Sequence, residues 1–258
     1  MFRFYPSILL YSSISLAQDS SLTAMCPCIQ TDSTCQKFDR RFQAYTVEDA
    51  TTTFPDLSLL DETINHPRTV EDDQQCTSQD CIHCRMAMEQ KLKEIGLVQS
   101  SIDTLLSIQL GNNTCNKYRF SNPIYSNIDE TIVSDGSIIG TRFTLSCTAK
   151  GAVTDSTGRV SLCRSCWVWR KLPDNYSPQY VNELICDTTN TACLSGYASC
   201  TAGTHNIEVV RNDSGVLTTV ALLAGAYCEC KAIANSAIDS LVVGTGLSSS
   251  VPPLPSSH

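Results

Sequence analysis

The sequence predicts a mainly β protein of antiparallel hairpins tied by disulfides, preceded by a Cys-rich, partly helical N-terminal region. Three observations carry this expectation. Fifteen of the 258 residues are Cys, a density typical of exported, disulfide-stapled chains and foreign to reducing compartments. From about residue 138 onward, short runs rich in Val, Ile, Leu and Tyr alternate with turn residues, as strands do. Upstream of that point one stretch, residues 85–109, repeats its apolar residues with a helical period.

The N-terminus decides how the cysteines are read. Arg3 supplies one positive charge, Tyr5–Leu16 is largely apolar or small, and Ser15-Leu16-Ala17 fits a small-x-small cleavage site. Residues 1–17 therefore read as a secretory signal peptide, and all fifteen cysteines follow it. A secreted, extracellular protein is expected, with disulfides as the fate of its thiols. The best remaining apolar run, Val216–Tyr227, is too short to span a bilayer and is interrupted by Thr218, Thr219 and Gly225, so no membrane insertion is expected. Sequons at Asn112, Asn175 and Asn212 are candidate glycosylation sites and agree with export.

Residues 18–137 hold seven cysteines in a polar, loop-rich setting. Between Thr46 and Asp73 there is no Cys, much acid, and Pro55 and Pro67, which predicts a mobile linker or pro-segment. Met88, Leu92, Ile95, Val98, Ile102 and Leu105 fall on one face of a helix that Gly96 can split. Residues 138–235 form the predicted β domain. Its strands are Arg142–Cys147, Gln179–Cys186, Asn206–Arg211 and Val216–Lys231, with Asn212-Asp213-Ser214-Gly215 as a hairpin connection. The Ser/Pro/Gly-rich end closes a predicted disordered tail, 236–258.

Composition also excludes function classes. A formal net charge of -8 argues against nucleic acid as a partner. The four His, at 66, 83, 205 and 258, sit in no metalloprotease or triad context, so an enzyme is not expected. Cys76, Cys81, His83 and Cys84 have spacing a zinc site could use, but in an exported chain disulfides are favoured and no metal or cofactor is expected. Arg40-Arg41 reads as an exposed basic pair in preference to a processing site. Trp167 and Trp169, two apart, share a face if extended. With Arg170, Tyr176 and Tyr180 they are the candidate receptor-binding residues, because large aromatics anchor interfaces, and core packing is the competing role.

In Cys228-Glu229-Cys230 the two sulfurs project from one face of a strand, so each can bridge to a neighbouring strand. Six cysteines still admit fifteen connectivities. The order and spacing of several segments then carry a resemblance. These are Cys166-Trp167-Val168-Trp169, Asn175-Tyr176-Ser177-Pro178, Glu183-Leu184-Ile185-Cys186, Asn206–Arg211 and Ala224-Gly225-Ala226-Tyr227-Cys228-Glu229-Cys230. Over residues 141–233 the chain resembles the interleukin-17 family of cytokines, in which a Trp, a Tyr-Pro, a Glu-x-x-Cys, a strand ending in Val-x-Arg and a Gly-Cys-x-Cys strand follow in the same order.

The resemblance implies a cystine-knot fold in which Cys186 and Cys193 pair with Cys228 and Cys230 in a ring. Cys166–Cys200 is the threading bridge where vertebrate members lack one, and Cys147 and Cys163 are left to each other. The six residues between Cys186 and Cys193 and the Tyr227 before Cys228 depart from the family, and leave open whether Cys193 or Cys200 closes the ring. The resemblance further implies a disulfide-stabilised homodimer acting as a signalling ligand for a single-pass receptor of the interleukin-17 receptor type. Another cystine-knot growth factor, or a non-signalling structural or inhibitory extracellular protein, are the alternatives. The odd cysteine count leaves one thiol over, expected in the N-terminal region.

Overall fold

The computed structural model describes residues 28–31, 34–59, 78–99, 115, 117–121, 138–154 and 158–244. In chain order, β1 (Cys28–Thr31), β2 (Thr34–Lys37), β3 (Gln43–Ala44) and helix α1 (Val47–Thr53) come first. Helix α2 (Gln79–Glu94) precedes β4 (Thr141–Thr148), β5 (Ser165–Lys171), β6 (Tyr176–Ser177) and β7 (Tyr180–Cys186). Then follow β8 (Ala192–Cys193), β9 (Ala198–Asp213), β10 (Val216–Ala232) and a short helix α3 (Asp239–Val242). The chain is mainly β, with every strand pairing antiparallel: β1 with β2, a sheet in the order β3-β7-β5-β4, and a sheet in the order β10-β9-β6 to which β8 adds along β9.

The central β3-β7-β5-β4 sheet is covered on both faces, which is why β5 and β7 are buried almost throughout, with no exposed alternate positions. On one face Trp167 and Trp169 of β5 and Tyr180 and Leu184 of β7 pack with Ala44, Ala50, Phe54, Leu57, Met88, Leu92 and Tyr118. On the other, Val181 of β7 packs with Ile207 and Val209 of β9 and Leu222 and Ala224 of β10. The first core joins residues from both sides of the expected boundary at 137/138. Asn182 couples them: its Nδ2 donates to the carbonyls of Arg41 and Pro55, and its Oδ1 accepts from Trp167 Nε1.

The segment expected to be a mobile linker is structured from its start to Leu59. Thr46 Oγ1 caps α1 by accepting from Asp49 N, and Phe54 and Leu57 beyond that helix are buried. Two core anchors outweigh the acidic, Pro-containing composition there. Helix α2 starts earlier than the periodicity predicts, because Ser78 Oγ accepts from Cys81 N and caps it. It ends where Gly96 allows, with φ +74, as Leu97 N and Gly96 N return to the carbonyls of Leu92 and Lys93 in a Schellman closure. Met88 and Leu92 are buried as expected, whereas Ile102 and Leu105 lie outside the described residues, as do the expected signal peptide and the tail beyond 244. The first part of that predicted tail, 236–244, contains α3.

The β9–β10 hairpin extends the predicted strand Asn206–Arg211 back to Ala198. Its connection is the two-residue turn Ser214-Gly215, both at positive φ (54 and 95), the geometry that matches the twist of the flanking strands. Cys186–Cys228 and Cys193–Cys230 bridge this hairpin to β7 and β8. The expected Cys166–Cys200 and Cys147–Cys163 bridges are not formed. Cys147–Cys166 and Cys163–Cys200 take their place, because the β4–β5 register sets Cys147 directly opposite Cys166. Upstream, Cys84 joins α2 to Cys115, and Cys81 is also disulfide-bonded. All eight cysteines of the second half are thereby paired, and the odd one falls among Cys26, Cys28, Cys35 and Cys76. Among the described residues no helix is long and apolar enough to cross a membrane.

Candidate interaction surface

The five residues expected to contact a receptor are all interior. Trp167 and Trp169 do share a face of β5, but Tyr118 and Phe120 stack along Trp167 and Phe54 meets Trp169 edge-on. Both indoles are fully buried. Tyr176 belongs to the core beneath the hairpin. Tyr180 packs beside the tryptophans, and its burial, with the charges of Glu48 and Asp174, raises its hydroxyl's pKa above 10.0. Sequence reasoning found the shared face correctly; what covers it comes from distant segments of polar composition.

Arg170, on the opposite face of β5, enters a buried charge cluster. Glu183 of β7 is wholly buried and accepts from Arg142 Nε at 2.8 Å and from Gly225 N at 3.0 Å. Arg170 Nη2 lies 3.5 Å from the same carboxylate and donates to Leu223 O at 2.9 Å. Burial lowers the Arg170 pKa; Glu183 opposes that shift and Arg142 adds to it. The cluster thus satisfies two outward-facing backbone groups of β10 where that strand crosses β7. Contact there is close: a Cβ on Gly225 would fall 2.5 Å from Leu184 O. Glu183, at the head of the Glu183-Leu184-Ile185-Cys186 segment, is therefore the clamp between the central sheet and the hairpin.

Among the described residues, large exposed apolar side chains lie on both faces of the β9–β10 hairpin, with Leu217 and Leu223 on one and Val216 and Tyr227 on the other, and also at Val242 and Val243. Val216 and Leu223 are 66% and 62% exposed, and Leu217 and Tyr227 are exposed as well. Tyr227 lies over Gly203, whose missing side chain makes room for the ring. From Val216 to Cys228 β10 carries no charge. Beside Tyr227 and Leu162 opens a cleft of about 400 Å³, also lined by Ser58, Arg119, Cys163 and Cys230. In its wall Arg119 donates to Thr148 Oγ1 and to the Thr154 carbonyl. Asn175 and Asn212 are both exposed, and Asn212 N donates to Asn175 O, so these two sequons are neighbours near the hairpin tip. Asn112 lies outside the described residues.

Sulfur atoms of Cys163, Cys193 and Cys200 lie within 4.8 Å of one another, a spacing a metal could use. All three are held in disulfides and offer no thiolate. Arg40 and Arg41 pair with Asp49 and Asp39, and the Arg41 carbonyl is held by Asn182, so this basic pair is part of a structured turn.

No family model and no solved structure matches the chain. It is 40% identical over 271 residues to a protein of Caenorhabditis elegans described as uncharacterized protein T16H12.9, with 89% of each chain covered. With that identity across most of both lengths, the chain belongs to the family of this nematode protein.

Proposed function

We propose that the protein is a secreted signalling ligand of interleukin-17-like, cystine-knot type. As a disulfide-stabilised homodimer it binds a single-pass receptor of the interleukin-17 receptor type. The observation that carries this reading is the pairing of Cys228 and Cys230, from one face of β10, with Cys186 and Cys193. Those are the two ring bridges that the resemblance implies, and Cys193 rather than Cys200 takes the second. Cys163–Cys200 supplies a third bridge beside them. Five disulfides among the described residues fit an oxidising, extracellular environment. The function is binding, with no chemistry.

Because the tryptophans are buried, this reading puts the receptor-facing surface on the hairpin, where Leu217 and Leu223 are exposed on one face and Val216 and Tyr227 on the other. The odd cysteine, among Cys26, Cys28, Cys35 and Cys76, supplies the interchain bond of the dimer. Secreted, folded protein is to be passed over immobilised ectodomains of interleukin-17-type receptors. Saturable binding that a Leu223→Asp/Tyr227→Asp variant loses supports the reading. Its absence with every such ectodomain, from protein whose native disulfides are verified, overturns the receptor assignment. Another cystine-knot ligand would instead show saturable binding to cells lacking these receptors, and a structural or inhibitory protein would show none.

A further inference from the structure

The Cys163–Cys200 and Cys193–Cys230 bridges lie side by side, with the sulfurs of Cys163, Cys193 and Cys200 within 4.8 Å of one another. Across the hairpin, Cys200 of β9 is directly opposite Cys230 of β10. Opposed residues of an antiparallel pair project to the same face, with Cα atoms roughly 4.5–5.5 Å apart, a span that suits a disulfide. This protein already makes one such bridge, Cys147–Cys166, between opposed residues of β4 and β5. The same four sulfurs can therefore pair in a second way, as Cys200–Cys230 and Cys163–Cys193.

Access is unequal. Cys193 and Cys200 are buried, whereas Cys230 is only half-buried and lines the cleft together with Cys163. Arg119 in the cleft wall brings positive charge to that approach, which favours a thiolate.

We infer that this sulfur cluster is a thiol–disulfide exchange site that takes a small-molecule thiol such as glutathione and switches the hairpin between two pairings. The incoming thiolate attacks Cys230 Sγ, forming a mixed disulfide and breaking the bond to Cys193, which leaves as a thiolate. Cys193 then attacks Cys163, forming Cys163–Cys193 and releasing Cys200 as a thiolate. Cys200 attacks Cys230 across the ladder, forming Cys200–Cys230 and returning the small thiolate. Two protein disulfides are present before and after, no net electrons are transferred, and the thiol is a catalyst. The first pairing ties the hairpin base to β8 and to the β4–β5 connection. In the second the hairpin is stapled to itself and keeps Cys186–Cys228 as its bridge to β7.

The test incubates folded, secreted protein with substoichiometric reduced glutathione, quenches with acid, and maps disulfides by mass spectrometry with fragmentation to separate Cys228 from Cys230. Cys200–Cys230 and Cys163–Cys193 peptides are expected to rise as the Cys193–Cys230 peptide falls, with Cys84–Cys115 and Cys147–Cys166 retained and no gain in alkylatable thiols. An unchanged map, or scrambling that reaches Cys84–Cys115 and Cys147–Cys166 equally, overturns the inference. A Cys163→Ala/Cys193→Ala variant adds a second readout. Its Cys200 and Cys230 are expected to be joined, and two alkylatable thiols at those positions in folded protein would likewise overturn it.

Discussion

Replacing Glu183 by Ala should be among the most damaging single changes in this chain. The substitution removes a carboxylate that accepts from Arg142 and from Gly225 N and faces Arg170, leaving a nearly fully buried guanidinium without its counter-charge. Removing one partner of a buried ion pair costs about 3–5 kcal/mol. The Arg142 side chain retains 16% exposure and can regain water, which places the expected loss near the lower end, about 3 kcal/mol. With a urea dependence of about 1–3 kcal/mol per M, that lowers the midpoint by roughly 1–3 M. The assay is urea unfolding with disulfides intact, followed by Trp fluorescence, because Trp167 and Trp169 are both buried in the native state. A Glu183→Met/Arg170→Met double variant, which removes both charges, should be less destabilised than Glu183→Ala. A Glu183→Ala midpoint equal to that of the wild type, or strictly additive effects of the two Met substitutions, would refute the charge-clamp argument.

Asn182→Ala leaves the Arg41 and Pro55 carbonyls and the Trp167 indole N–H without their partner. At about 1–3 kcal/mol for each buried orphan, a loss of at least about 3 kcal/mol is expected in the same unfolding assay. Limited trypsin digestion should then cut after Arg41 in this variant and spare it in the wild type. Gly225→Ala forces a Cβ against the Leu184 backbone and should cost about 1–3 kcal/mol. Gly203→Ala, whose obstacle is the exposed Tyr227 ring, should cost less, because that side chain can swing away. Burial, opposed by the charges of Glu183 and Asp39, lowers the His205 pKa from its ordinary value of 6.5. The unfolded chain therefore takes up this proton first as pH falls through 6.5, so stability declines below that pH and levels off once the folded form is protonated too. Thermal unfolding from pH 7.5 to 5 should show that decline, and His205→Gln should flatten it.

Local chemistry made much of the β half legible. The alternation in Arg142–Cys147, the apolar run ending at Cys186 and the Ser214-Gly215 turn all mark structure within a few residues of themselves. Cys228 and Cys230 projecting from one face of a strand showed that each can bridge to a neighbouring strand, whereas Cys186 and Cys193 as their partners were implied by the resemblance, which left Cys193 and Cys200 as alternatives. The other two bridges were not legible, because Cys163 and Cys166 sit three residues apart at the start of β5. Which of them reaches β9 depends on the β4–β5 register, and that register is set across a long connection. The covering of Trp167 and Trp169 was hidden for the same reason. Phe54, Tyr118 and Phe120 are isolated aromatics in polar stretches, and nothing within those stretches says where they dock.

That covering bears on what the N-terminal half can be. Phe54, Leu57 and Tyr118 are buried in the same core as the two tryptophans, and Asn182 holds the backbone at Arg41 and Pro55 to β7. A pro-segment released after Arg41 would have to break the turn that Asn182 anchors. Loss of residues 42–59 would strip Phe54 from Trp169 and Leu57 from the same core, baring an apolar surface that a folded chain does not leave to water. The region from Asp39 to Leu59 therefore acts as a permanent layer of the fold. The opposite layer is the charge-clamped hairpin, whose face away from the core carries Leu217, Leu223 and Glu208 exposed. On the proposed ligand reading, a substitution at Leu223 or Tyr227 tests recognition, whereas one at the buried Trp167 or Trp169 tests stability.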